Sequence, residues 1–404
     1  MGRRLRALRA LPYASHMVVP SLSAASILVL GAAGQFGARL CARLAQLHGV
    51  RLVLAGRDSG KLEALQQDLQ RQNSVAAMTI LVLNIAAPDF NARLRTLRPM
   101  LVLHLAGPFQ GQDYEVARAC IAAGSSYIDM ADGRAFVRGF PTLDTAARER
   151  GVSLITGAST VPGFSAAAVD AFLPRFARLE SLDYGISAGL KTGLGRATLL
   201  AVLSYCGKSY DVLRGGVMQP LYGLGRPRHH VYPLPVGRRM LVDCDIPDHV
   251  LFPARYPTLR AMDFGSCIDA PGLGNILGAM SRAVARGYIR HWDFLNGCIA
   301  PFIRAMKIFG SSASGFYMTI QGCGHDGEPK QYRFEVVAYD GCGLEIPVTP
   351  VLLLVKRLLR DGGLPPGAYP CLDLFTLRDF AAELAAYPIA WYVDGAALPA
   401  TELP

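Results

Sequence analysis

The chain has 404 residues, 51% of them hydrophobic and 18% charged, a composition that excludes a wholly disordered protein and predicts two domains. Lys and Arg outnumber Asp and Glu by 41 to 31, a net charge of +10. Arg3, Arg4, Arg6 and Arg9 lie in a stretch with no acid before Asp58, so much of the excess forms an arm and not a groove, which argues against nucleic acid as a partner.

In chain order, residues 1–25 read as a disordered basic arm, because Pro12, His16 and Pro20 interrupt what would otherwise resemble the apolar core of an export signal. From residue 26 the pattern alternates short aliphatic runs, at 27–30, 51–55, 78–83, 101–105, 127–130 and 152–156, with amphipathic segments. Nearly continuous apolar runs are buried on both faces, and their alternation with helices predicts βαβ units feeding a parallel sheet. Phe36, Leu40, Leu44 and Leu47 form one helical stripe. Leu62, Leu65 and Leu69 form another, with Asp58 or Ser59 available as its cap. A helix is predicted over 165–176, then the texture changes. Residues 221–257 are rich in Pro, Gly and Arg, runs at 315–322 and 330–340 flank an Asp326-Gly327 hairpin signal, and 198–205 and 348–359 have helical patterning. The predicted fold class is α/β, a Rossmann doubly wound parallel sheet over 26–160 with a second α+β domain over 161–375. Residues 376–404 are expected to supply a helix and tail returning to the first domain.

The strongest local signal is Gly31-Ala32-Ala33-Gly34-Gln35-Phe36-Gly37, which follows a strand and opens a helix. Such glycines permit a tight turn, close backbone approach to a pyrophosphate and close strand–helix packing, while the helix start presents amides to the anion. A dinucleotide site is therefore expected here. NAD sites usually carry an acid at the end of the second strand. This strand instead runs into Gly56-Arg57, with Lys61 one turn on, which favours the 2′-phosphate of NADP. Ala106, Gly107, Pro108 and Phe109 end the fourth strand, beside the topological switch, and are expected to line the same cofactor.

Other chemistry is less legible. None of the 16 tyrosines has a Lys four residues later, and no Walker loop occurs. The catalytic residues stay unassigned. Tyr127, Asp129 and Asp132 are positional candidates for the substrate, and Lys191 and Arg196 sit in a Gly-rich basic segment suited to a carboxylate. The nine cysteines are dispersed, Cys-x-x-Cys and His-x-x-x-His are absent, and so reduced thiols, a cytoplasmic location and no structural metal are expected. No run approaches the ~18 apolar residues of a membrane span.

Taken together, Gly31 to Gly37, Leu54-Ala55-Gly56-Arg57 with Lys61-Leu62, Ala106 to Phe109, Glu115 to Cys120 leading to Tyr127-Ile128-Asp129, and Gly157 to Pro162 resemble the saccharopine dehydrogenase-like NADP-binding family, including its trans-acting enoyl reductase relatives. The resemblance covers about residues 26–176. It implies a Rossmann domain, a second domain for substrate and dimerisation, and reversible reduction by NADPH. Three readings stay open: an NADP-dependent oxidoreductase passing hydride to a C=N or C=O bond of a small substrate, an enoyl reductase acting in trans with a synthase on a lipid- or carrier-linked substrate, and a non-catalytic NADP-binding regulatory module.

Overall fold

A computed structural model describes residues 25–192, 204–268, 272–290 and 310–404. The first domain begins β1 (Ala25–Leu30), α1 (Gln35–Leu44), β2 (Val50–Gly56), α2 (Ser59–Arg71), β3 (Ala77–Val82), α3 (Phe90–Leu97), β4 (Leu101–His104), α4 (Glu115–Ala123) and β5 (Ser126–Asp129). It continues through α5 (Arg134–Gly139), α6 (Asp144–Arg150), β6 (Ser153–Thr156) and α7 (Ser165–Phe172). Alternation along β1 divides the core. Ile27 and Val29 pack with Leu40 and Leu44 of α1, whereas Leu28 and Leu30 pack on the opposite face with Val116 and Cys120 of α4. A strand whose every residue meets apolar partners on both faces reads as an unbroken hydrophobic run.

The second domain contains β7 (Arg178–Ala188), β8 (Ser209–Arg214), β9 (Val217–Tyr222), β10 (Arg228–Val231), β11 (Arg238–Asp243), α8 (Asp248–Arg255), β12 (Ala261–Ile268), α9 (Leu273–Ala285), β13 (Ser314–Cys323) and β14 (Pro329–Ala338). The chain ends with α10 (Glu345–Asp361), β15 (Gly367–Pro370), α11 (Leu377–Leu384), β16 (Ile389–Val393) and β17 (Ala396–Leu398). The first sheet is parallel, in the order β15-β6-β5-β4-β1-β2-β3. The second is mixed, in the order β10-β11-β12-β7-β13-β14-β16-β17, and β8-β9 is a separate pair. As the Asp-Gly signal predicts, β13 and β14 form an antiparallel hairpin.

One expectation is overturned. The return to the first domain is made chiefly by α10 and β15, within 345–370, while from 376–404 Glu383 and Tyr387 reach it at Arg43 of α1. β15 pairs in parallel with β6, and Val348, Val351, Leu352 and Val355 of α10 pack in the core that contains Leu40 and Leu44. Residues 376–404 stay with the second domain: Leu377, Phe380, Leu384, Trp391 and Leu403 lie in its core, and β16 and β17 close its sheet. β15 escapes the sequence because it is four residues long and bounded by Gly367 and Pro370, which read as turn punctuation. The basic arm, apart from Ala25, and most of the predicted helix at 198–205 lie outside the described residues.

Candidate functional site

The carboxyl ends of β1, β2, β4 and β5 open on a cleft of about 780 Å³. At its floor Gly31 holds φ at +80°, and a Cβ there would fall 3.0 Å from the backbone of Leu105 and Ala106. Glycine is required on both counts. Gly37 does not line the cleft; a Cβ there would fall 2.2 Å from the Gly31 carbonyl oxygen, so it serves the close packing of helix on turn. The α1 N-cap is Gly34, with no side-chain cap and no acid in the first turn. The first turn thus carries no carboxylate of its own, and the helix dipole there favours an anion. Ala33, Gln35 and Phe36 line the same wall.

At the far end of the cleft stand Arg57 and Lys61. Arg57 is exposed and pairs with no carboxylate among the described residues. Lys61 is engaged: its amide donates to Asp58 Oδ1 at 3.1 Å and its Nζ lies 3.4 Å from Oδ2. Those contacts, the backbone bond first, hold the Asp58 carboxyl below its ordinary range. Asp58 is therefore the cap of α2, which settles the choice between Asp58 and Ser59.

Ala106, Gly107, Pro108 and Phe109 form the opposite wall. Gln112, which the sequence did not single out, clamps this loop by donating to the Ala106 and Pro108 carbonyls at 3.0 and 2.6 Å. Beneath it lies His104, buried, with Nδ1 3.0 Å from Tyr127 Oη and its ring edge-on to Phe109. Burial lowers its pKa to about 4, so the imidazole is neutral.

Two substrate candidates are corrected. Tyr127 is wholly buried under the sheet, stacked on Phe140. Asp129 is also fully buried, and its Oδ1 accepts from the Ala131 and Gly157 amides and the Thr156 hydroxyl at 2.8–2.9 Å. It staples the loops after β5 and β6, because a carboxylate at a strand end satisfies backbone donors that no ladder reaches. Its pKa rises to about 6, chiefly through burial. Asp132 does line the cleft, with Met130 and Ser159, and burial raises its pKa. Lys191 is exposed on a short turn of the second domain, and Arg196 lies outside the described residues.

The second domain closes the rim. Gln35 Nε2 donates to the Thr192 carbonyl at 3.2 Å. Gln110 Nε2 donates to Asp132 Oδ1 at 3.0 Å and to Tyr205 Oη at 2.9 Å. Arg134 reaches the Asp211 carbonyl at 2.8 Å and Asp245 at 3.1 Å. Gln110 and Tyr205 are contributed by different domains, 95 positions apart, and no local spacing could have joined them.

Residues 27–159 match the family described as the saccharopine dehydrogenase NADP binding domain. Among solved structures, an apo saccharopine dehydrogenase (L-Glu forming) from Saccharomyces cerevisiae is similar over 92% of this chain and 99% of its own, with a TM-score of 0.61 at 11% identity. That likeness establishes the two-domain fold. A metagenomic short-chain oxidoreductase in complex with NADP matches 34% of this chain and 82% of its own at 21% identity, TM-score 0.25. A citronellol catabolism dehydrogenase of Pseudomonas aeruginosa PAO1 matches 33% and 73% at 16% identity, TM-score 0.28. No curated protein matches this sequence.

Proposed function

We propose that this chain, whose N-terminal domain belongs to the saccharopine dehydrogenase-like NADP-binding family, is an NADPH-dependent oxidoreductase that reduces a C=N or C=O bond of a small substrate. The observation that carries the reading is the coincidence, in one cleft, of an uncapped helix start behind Gly31 and Gly34, an unpaired guanidinium at Arg57, and the loop 106–109 opposite. These residues fit the cofactor: the α1 amides would hold its diphosphate, Arg57 its 2′-phosphate, and Ala106 to Phe109 its nicotinamide side. Bound NADPH supplies a hydride from C4 of the nicotinamide.

The chain's own residues do the rest. Gln112 fixes the loop wall, Phe109 excludes water from it, and the Gln35, Gln110 and Arg134 contacts hold the second domain over the opening. Fixing donor and acceptor in register within a closed cleft is a recognised source of acceleration. Burial holds the Asp132 carboxyl above the usual range and keeps the Tyr205 phenol protonated. Asp132 and Tyr205, joined through Gln110, are by position the groups proposed to return a proton to the reduced atom.

The test is a reduction assay with NADPH deuterated at C4 and a panel of ketones, aldehydes, imines and enoyl thioesters. Deuterium on the former carbonyl or imine carbon is the expected result. Deuterium on the β-carbon of a thioester would support the enoyl reductase reading instead. Nucleotide that binds yet is not consumed with any acceptor of the panel would support a non-catalytic module.

A further inference from the structure

The second domain carries a surface that the cleft does not explain. In the β10–β11 ladder Val231 pairs with Arg238 and His229 with Met240, and directly paired residues share one face of a hairpin. The alternate residues point the other way: Arg228 reaches Asp243 and His230 reaches Glu335, across the sheet beneath. The face bearing Val231 and Arg238 is thus the outward one. Met240, on that same face, touches α9, since a Cβ at Gly274 would fall 2.7 Å from its sulfur. Helix α9 accordingly lies on the outward side, turning Leu277, Gly278 and Ser281 inward. Ile276, Arg282 and Arg286 are left exposed on its other side.

What this face presents is unusual in two respects. Leu234 at the hairpin tip is 80% exposed, Val231 64%, Ile276 50%, and Tyr288 just past the helix 77%. Scattered single apolar residues need no explanation, but protruding ones gathered along one hairpin and one helix do. The charge is also of one sign. Residues 212–242 and 272–290 contain no Asp or Glu, and Arg238, Arg282 and Arg286 pair with no carboxylate among the described residues.

We infer that this hairpin-and-helix face docks on an anionic lipid surface. Protruding aliphatic and tyrosyl side chains enter the headgroup boundary while the arginines meet lipid phosphates, the combination that holds peripheral proteins on acidic membranes. A second copy fits poorly, because a two-fold contact would set arginine against arginine. A nucleic acid would leave Leu234 and Tyr288 without a role. The attachment is peripheral: no helix among the described residues is long and apolar enough to cross a membrane. A 13-residue helix is about 20 Å long, enough to steady the protein in the plane.

Flotation of the full chain with vesicles of phosphatidylcholine, with and without phosphatidylglycerol, tests this. Binding is expected only with phosphatidylglycerol and is expected to weaken with salt. Leu234→Asp with Tyr288→Asp, and separately Arg282→Ser with Arg286→Ser, should each reduce it by about tenfold or more. NADPH titration of the same variants should be unchanged, which separates this proposal from the cofactor reading. Wild type that fails to float, or variants that float as well as wild type because the N-terminal arm does the binding, would overturn the proposal. So would light scattering that gives a dimer lost in Leu234→Asp, or retention by duplex DNA independent of Leu234.

Discussion

Asp248 is fully buried, and its Oδ2 accepts from Ser165 Oγ at 2.6 Å and Tyr184 Oη at 2.7 Å. Its Oδ1 is buried with no partner among the described residues, where a carboxylate charge would be stranded. Burial accordingly raises its pKa to about 7 from an ordinary 3.8. The folded state then binds this proton more tightly than the unfolded chain does. The stabilisation is complete below about pH 4 and is lost as pH rises through 7. Asp248→Asn keeps the acceptor for both hydroxyls and cannot titrate. In denaturant unfolding it should remove about 2–3 kcal/mol from the stability difference between pH 5 and pH 8. An unchanged difference would show that Asp248 is ionised throughout. Burial also shifts Asp129 and His104 under the cleft, but in opposite directions, raising the carboxyl to about 6 and lowering the imidazole to about 4.

The helix that begins at the glycine turn is fastened along its length to the returning helix. Arg39 meets Glu345 at 2.7 Å and Arg43 meets Thr349 at 2.8 Å, with Glu345 itself buried, and Arg43 also reaches Glu383 of α11 at 3.1 Å. Removing one partner from a buried pair strands the other and costs about 3–5 kcal/mol. Glu345→Ala should therefore lower the unfolding free energy by about 3 kcal/mol and loosen NADPH binding, because α1 carries the first-turn amides. A loss below about 0.5 kcal/mol would mean that the apolar contacts of Val348 and Val351 alone dock the two helices. None of this pairing is legible in sequence, since its members lie 306 and 340 positions apart. What is legible is local. The runs that became β1 to β6, the glycine turn and the Asp-Gly hairpin each carry their cause within a few residues. β15 fails that test, being placed by its pairing with β6, far earlier in the chain.

Across the molecule, the same division separates the two ends of the cleft. The end proposed to hold the nucleotide is written in one continuous segment, where Gly31, Arg57 and Phe109 each follow a strand whose position in a parallel sheet fixes where they point. The end proposed for the substrate is assembled from both domains, so that Gln110, Asp132 and Tyr205 meet only through folding. Sequence placed Tyr127 and Asp129 there because they sit at a strand end, and packing turned both inward. Because the residues lining the cleft all belong to the first domain, the proposed nucleotide affinity is expected to be set there. Calorimetric titration of the full chain with NADPH and with NADH, for wild type and Arg57→Ala, tests that most directly. One NADPH should bind per chain, weakening by about 10- to 100-fold in Arg57→Ala while NADH is unaffected. Silence toward both nucleotides, or equal losses for both in the variant, would contradict it.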